Sequence, residues 1–211
     1  MPCLMQRTTW FALVICLTAK LFAQPATVHF KRFQTNDGLA SNSVFPVIKD
    51  KDGFIWIGTI NGATRYDGYN FKTYRNDPKD ETSIAYNYIN HIFQDSGNRI
   101  WFFTTTQDLP GICYYVPSKD VFEVVPVAPG KKDVFQSSPV YGATSDANNN
   151  MWIASSTGIV CVNPKTLKVE TIAEMATNSI FSDNEGFIWV GTLNSGIKKI
   201  DPETKKNNLF A

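Results

Sequence analysis

Histidine, cysteine and net charge are all scarce in this 211-residue sequence, and each shortage removes a class of function. The two histidines, His29 and His91, are far apart and too few for a histidine-built metal centre. Of four cysteines, Cys3 and Cys16 fall in an apolar N-terminal stretch, which leaves Cys113 and Cys161. Those two occupy neighbouring repeats one residue out of step, hence opposite strand faces, and no disulfide is expected between them. Twenty Lys+Arg against 19 Asp+Glu give a net charge of +1, so no overall field draws nucleic acid, and none is expected as a partner. Nucleophile-elbow, zinc-protease, Cys-x-x-Cys and phosphate-loop motifs are all missing. No catalytic residue, cofactor or metal is therefore assigned.

What remains is a folding composition: 43% hydrophobic, 13% aromatic and only 18% charged, with 13 Gly and 11 Pro. That favours a β-rich, turn-rich chain. Residues 1–23 read as a secretory signal, with Arg7 ahead of the apolar run Trp10 to Leu17 and a plausible cut before Gln24. The run is shorter than the roughly 20 residues that span a bilayer. Val14 and Ile15 are too bulky to precede a lipidated Cys16. The mature chain is expected to be exported and soluble.

Four segments repeat one pattern. Asp50, Asp95, Asp146 and Asp183 each precede a tryptophan (Trp56, Trp101, Trp152, Trp189) by six residues. Three before each Trp stands Gly53, Asn98, Asn149 or Gly186, types that accept positive φ in a tight hairpin. Three after it comes Thr59, Thr104, Ser155 or Thr192, then a Gly (62, 111, 158, 196) and, six further on, Gly68, Pro117, Pro164 or Pro202. Trp-to-Trp intervals of 45, 51 and 37 residues put the variation in the loops.

Each copy predicts four short antiparallel strands, roughly 44–49, 54–59, 63–67 and 70–75 in the first. One such sheet cannot bury both faces, but stacked sheets can, each Trp contributing several kcal/mol at about 25 cal/mol per Å². Period and strand number give an all-β fold, a β-propeller of four-stranded blades. Blades are expected at 44–85, 86–137, 138–174 and 175–211, the last incomplete. Residues 24–43 form a leading segment whose stretch 28–33 resembles an outer strand and is expected to close a blade. Four blades read as part of a larger ring of about seven.

Asp-Gly-Leu (37–39), Asn42 to Val44, Asp-x-x-Gly-x-Ile-Trp-Ile-Gly-Thr (50–59) and Asn-Gly-Ala-Thr-Arg-Tyr-Asp-Gly (61–68) closely resemble the two-component regulator propeller repeat. The resemblance covers 28–211 and loosens in copies two and three, where Phe103 and Ala154 replace the Gly after Trp. It implies the periplasmic sensor region of a hybrid histidine kinase from a glycan-degrading bacterium. It also implies an N-terminal part of a longer chain, a homodimeric parent, and a membrane reached only through a downstream segment. Any kinase activity belongs to that parent.

The recurring Asp invites a calcium-loop reading at Asp50-Lys51-Asp52-Gly53, but Asn61 stands where a bidentate Glu is needed. Capping of its own hairpin is the simpler role. For ligand contact, the loops between second and third strands and between blades offer Asn61, Arg65, Tyr86, Asn87, Gln107, Asp108 and Tyr141. This mix of amides, charge and aromatic faces suits an oligosaccharide or another small extracellular ligand. A propeller glycosidase or lyase fragment and a protein-interaction scaffold stay open as alternatives.

Overall fold

The computed structural model describes residues 29–104, 111–125, 139–205 and 207–210, the last for the backbone only. Two compact units divide the chain. Of Met1–Arg32, residues 29–32 are described and carry no regular structure, and the expected signal lies outside the described residues. Phe33–Ala211 holds four antiparallel sheets of four sequential strands each and, among the described residues, no α-helix, only a 3₁₀ turn at Thr35–Asp37.

Blade one is β1 (Val44–Lys49), β2 (Ile55–Thr59), β3 (Gly62–Tyr66) and β4 (Phe71–Tyr74), within one residue of the expected strands. Blade two is β5 (Ile89–Gln94), β6 (Ile100–Thr104), β7 (Ile112–Val116) and β8 (Val121–Val124). Blade three is β9 (Val140–Ser145), β10 (Met151–Ser155), β11 (Ile159–Val162) and β12 (Val169–Ala173). Blade four is β13 (Thr177–Ser182), β14 (Ile188–Thr192), β15 (Ile197–Ile200) and β16 (Asn207–Phe210). The fourth copy thus has its full set of strands, where a partial outer strand was expected. No strand forms over 29–33, and each of the four sheets carries its own outer strand. β1, β5, β9 and β13 pack against one another in succession and are the innermost strands.

Each aspartate latches two things at once. The indole Nε1 donates to Asp Oδ2 at 2.7 Å for Trp56–Asp50, 2.9 Å for Trp101–Asp95, 2.9 Å for Trp152–Asp146 and 2.7 Å for Trp189–Asp183. Oδ1 meanwhile accepts the backbone N–H four residues on, from Phe54, Arg99, Asn150 and Phe187. The hairpin turn is therefore tied to the indole of its own second strand. Positive φ occurs at the residues named for it: Gly53 (95°), Asn98 (70°), Asn149 (63°) and Gly186 (90°). At the far end of each hairpin, the Thr59, Thr104, Ser155 and Thr192 hydroxyls donate to the carbonyls of Gly62, Gly111, Gly158 and Gly196. A side chain at Gly62 would meet the Tyr74 carbonyl at 2.3 Å, with φ at +112°.

Each indole then presses on the next blade. Trp56 meets Phe102 and Tyr115 of blade two with ring centroids 5.3 and 4.8 Å away. Trp101 clusters with Val140, Met151 and Ile153 of blade three, and Trp152 with Ile188, Val190 and Ile200 of blade four. Trp56, Trp101 and Trp152 are fully buried, whereas Trp189 is half-buried and Phe181 beside it is 62% exposed. Cys113 and Cys161 are buried and unbridged.

The outer rim adds an ion pair between blades whose polarity reverses. Lys72 of β4 pairs with Asp120 in the β7–β8 turn, and the equivalent positions at the blade three–four junction pair Glu170 with Lys205. Partial burial alone would raise the Asp120 carboxyl, but Lys72 and the Tyr115 and Tyr74 hydroxyls outweigh it and hold it down to about 2.

Trp101→Ala is expected to lose about 4 kcal/mol of stability in urea melts, and Trp189→Ala clearly less. Asp95→Ala, which strands a buried indole N–H and a turn amide, should lose about 3 kcal/mol. Lowering pH should weaken the fold in two stages. Burial keeps the His91 imidazole below its ordinary 6.5, so stability falls once unfolded His protonates beneath that pH. The Asp120 contribution is full above about pH 4 and disappears as pH approaches 2. Urea midpoints across pH 7 to 2 measure both, and Asp120→Asn should shrink the second stage, the remainder coming from Asp183, Asp67, Asp80 and Asp201, whose carboxyls hydrogen bonds also hold down.

Candidate functional site: the inner mouth of the propeller arc

Every inner strand begins at the end of the blade where the second and third strands turn. There the backbone is tied in one way three times over: Ile60, Ser156 and Leu193 donate N–H to the carbonyls of Ser43, Pro139 and Ala176. Directly beyond this tie each inner strand bulges. The register slips between Val44 and Val47, between Ile89 and His91, opposite Ala154 and Ser155, and between Thr177 and Ser179. Bulges re-aim side chains beside functional sites. The residues they displace are Phe45, Asn90, Tyr141 and Asn178, one per blade at one step of the register.

These four differ from the packed residues below them. Phe45 is 52% and Tyr141 46% exposed. Phe45 pairs with the half-exposed Tyr88, which leads into β5, at a ring-centroid distance of 5.3 Å. Asn90 Nδ2 and Oδ1 are both buried without a hydrogen-bond partner among the described residues. Asn178 accepts one bond, from the Ser179 hydroxyl at 3.1 Å. Among the described residues, the mouth is lined by aromatic faces and amides without a formal charge, since burial keeps neighbouring His91 neutral at pH 7. Such a surface recognises an uncharged ligand through stacking and amide hydrogen bonds. Among the described residues, no three His, Cys, Asp or Glu side chains gather to hold a metal.

The residues expected from sequence distribute unevenly around this mouth. Tyr141 is one of its members. Asn61 is exposed in the β2–β3 turn at the same end, its backbone N–H donating to Thr59 Oγ1 at 3.0 Å. Asn87 is committed to structure: its side chain accepts from Asn76 N–H at 2.8 Å and its carbonyl from Gly62 N–H at 2.6 Å. Tyr86 packs on the core between blades one and two, and burial raises its phenol. Within segment 76–88, Ile84 and Ala85 are buried and plug the junction, while residues 77–82 are exposed and Tyr88 reaches the mouth. Arg65 lies on β3 opposite Trp56, toward the other end of the blade. It donates to the Tyr115 hydroxyl at 2.7 Å and stacks over Phe54 at 4.7 Å, stapling blade one to blade two. Gln107 and Asp108 lie outside the described residues. Phe45, Tyr88, Asn90 and Asn178 were not anticipated. For Phe45, Asn90 and Asn178 the signal was present, because each follows the first residue of an inner strand at a position where the repeat breaks its apolar alternation.

The comparisons with known proteins bear on the repeat. The family described as "Two component regulator propeller" matches residues 38–61, which hold the first Asp–Trp latch. Residues 38–61 carry the two-component regulator propeller repeat. A 69-residue stretch is 45% identical to histidine kinase P4 of Formosa agariphila, covering 33% of this chain and 5% of that protein. The fold matches the extracellular domain of a putative hybrid two-component system from B. thetaiotaomicron, with a TM-score of 0.70 and 22% identity over 86% of this chain and 26% of that one. It also matches a virginiamycin B lyase from Staphylococcus aureus, with a TM-score of 0.60 and 14% identity over 82% of this chain and 57% of that enzyme. The chain therefore spans about a twentieth of its kinase relative and about a quarter of that extracellular domain. At these identities the two solved structures show the propeller fold alone.

Arg65→Ala is expected to lower the melting temperature by breaking the staple between blades one and two. Tyr141→Ala, at an exposed position, should leave stability within about 0.5 kcal/mol of the parent. Thermal melts followed by far-UV circular dichroism distinguish the two.

Proposed function

We propose that this chain is part of the periplasmic sensor region of a hybrid histidine kinase system, and that its inner mouth binds a glycan-derived oligosaccharide. The feature that supports this reading most is the row of bulge residues, one per blade, presenting two aromatic positions and two amides without charge. Sugar rings are recognised by that combination, and an anionic or cationic metabolite is not. The regulator propeller repeat and the extracellular domains sharing its fold favour export, which the signal at residues 1–23 provides. Further blades would cover the half-buried Trp189 face and the exposed Phe181. The signal then passes through contacts with a second copy of the parent protein, across a membrane segment further along that protein, to its kinase.

Isothermal calorimetry of the purified chain against a panel of neutral and acidic oligosaccharides tests this reading. Saturable heat with at least one neutral glycan is expected, weakened about 10-fold or more in Tyr141→Ala or Tyr88→Ala. A uniform absence of heat across the panel, or binding that ignores both substitutions, contradicts it.

A further inference from the structure

The blade contacts of this chain are one interface used three times. Each joins a forward face, which carries the Trp, to the rear face of the next blade. Trp and the residues paired with it point forward, and their neighbours along each strand point to the rear. In blade two the rear row is Ile92, Phe102, Ile100 and Tyr115, all buried against blade one. Ile188, Val190 and Ile200 of blade four are likewise buried in the Trp152 cluster. The same row in blade one is Val47, Ile57, Ile55 and Tyr66. There Val47 is 56% exposed and the other three are half-buried.

That rear face is already framed for a blade. Residues 33–42 repeat the segment that lines the contact of blades one and two. Phe33 sits against Tyr66 and Phe71 with ring centroids 5.3 and 5.1 Å away, as Tyr74 sits against Tyr115 and Phe122 at 5.8 and 5.2 Å. Asn42 Oδ1 accepts from Thr35 N–H at 2.9 Å, as Asn87 Oδ1 accepts from Asn76 N–H at 2.8 Å. Leu39 and Ala40 are buried, as Ile84 and Ala85 are. On blade two these parts frame the Trp56 indole, and on blade one they frame the Val47 row.

Blade four presents the matching half. Its forward face carries the half-buried Trp189, with Phe181 62% and Ile197 53% exposed in the adjoining strands. On this face Lys199 lies over the Phe187 ring at 3.8 Å, as Arg65 lies over Phe54 at 4.7 Å in blade one. Charge agrees as well. Where blade one meets blade two, the turn after β1 reaches the end of β5, Lys51 N–H donating to Gln94 Oε1 at 3.1 Å. The corresponding groups are Lys49 on the rear of blade one and the 183–186 turn, which carries the exposed Glu185.

We propose that the rear face of blade one is the receiving half of a head-to-tail contact, filled by the forward face of blade four of a second copy. Its two halves differ, so copies add in one direction instead of pairing about a shared patch. A further blade following blade four would compete for the same surface. The contact uses none of the mouth residues and does not depend on glycan binding. It opens without unfolding, so the Trp189 indole still exchanges ahead of the three interior ones.

Sedimentation of the purified chain tests this contact with two substitutions at exposed positions, Val47→Asp in the receiving face and Phe181→Asp in the forward face. Circular dichroism checks that both variants keep the fold. The unsubstituted chain should sediment heavier than a monomer at about 50 µM. Each variant alone should be monomeric there, its dissociation constant raised at least about 10-fold by a carboxylate placed in an apolar contact. An equimolar mixture of the two should form a 1:1 heterodimer and nothing larger, since each supplies the half the other lacks. A monomeric unsubstituted chain, association that persists in either variant alone, or a mixture that stays monomeric overturns the contact.

Discussion

One hydrogen bond per blade, from an indole N–H to an aspartate oxygen, organises this molecule. Its carboxylate holds the hairpin amide with one oxygen and the tryptophan with the other, so a turn and a core side chain are positioned by the same group. The indole so held cannot swing within its own sheet and presents a fixed face to the next. Three successive indoles are buried that way, and three blade junctions result. A charge-assisted bond shielded from water is stronger than a neutral one, which is why an aspartate can be placed in a hydrophobic setting at three equivalent sites, Asp50, Asp95 and Asp146, without destabilising it.

That scaffold leaves two regions of each sheet free to vary. At one end, the bulge residue of the inner strand is outside the ladder and contributes to no latch, so it can serve recognition. At the other end, the residues flanking the indole fill the gap between blades and usually form a cation–aromatic plug. Arg65 illustrates how the two are confused: a charged residue near a repeat loop resembles a ligand contact, yet its guanidinium is spent on Tyr115 and Phe54 of the blade junction. The rim pairs Lys72 with Asp120 and, with the signs exchanged, Glu170 with Lys205, whereas the corresponding positions between blades two and three are Glu123 and Leu167 and hold no ion pair.

Much of the fold was legible because it rests on fixed offsets. Asp-to-Trp spacing, the positive-φ residue three before Trp and the hydroxyl three after it are local, and local geometry reads directly from sequence. The indole–aspartate bond itself was not anticipated, although the constant interval of six between them was its signal. The site was less legible. Asn87 looked like a free loop amide and turned out to hold Asn76 and Gly62 together, a role set by contacts between distant segments. Asn90 and Phe45 were passed over because the register slip that displaces them is set by pairing with the second strand, which the break in alternation hints at but does not specify.

The indole protons report most directly on the central latch. A ¹⁵N–¹H spectrum of the folded chain, followed through exchange into deuterated water, separates the indole N–H groups. The indoles of Trp56, Trp101 and Trp152 are predicted to exchange slowly, near the rate set by global unfolding, and the half-buried Trp189 much faster. Four indole signals that all exchange within the dead time would contradict the latch as the interaction on which the blades depend.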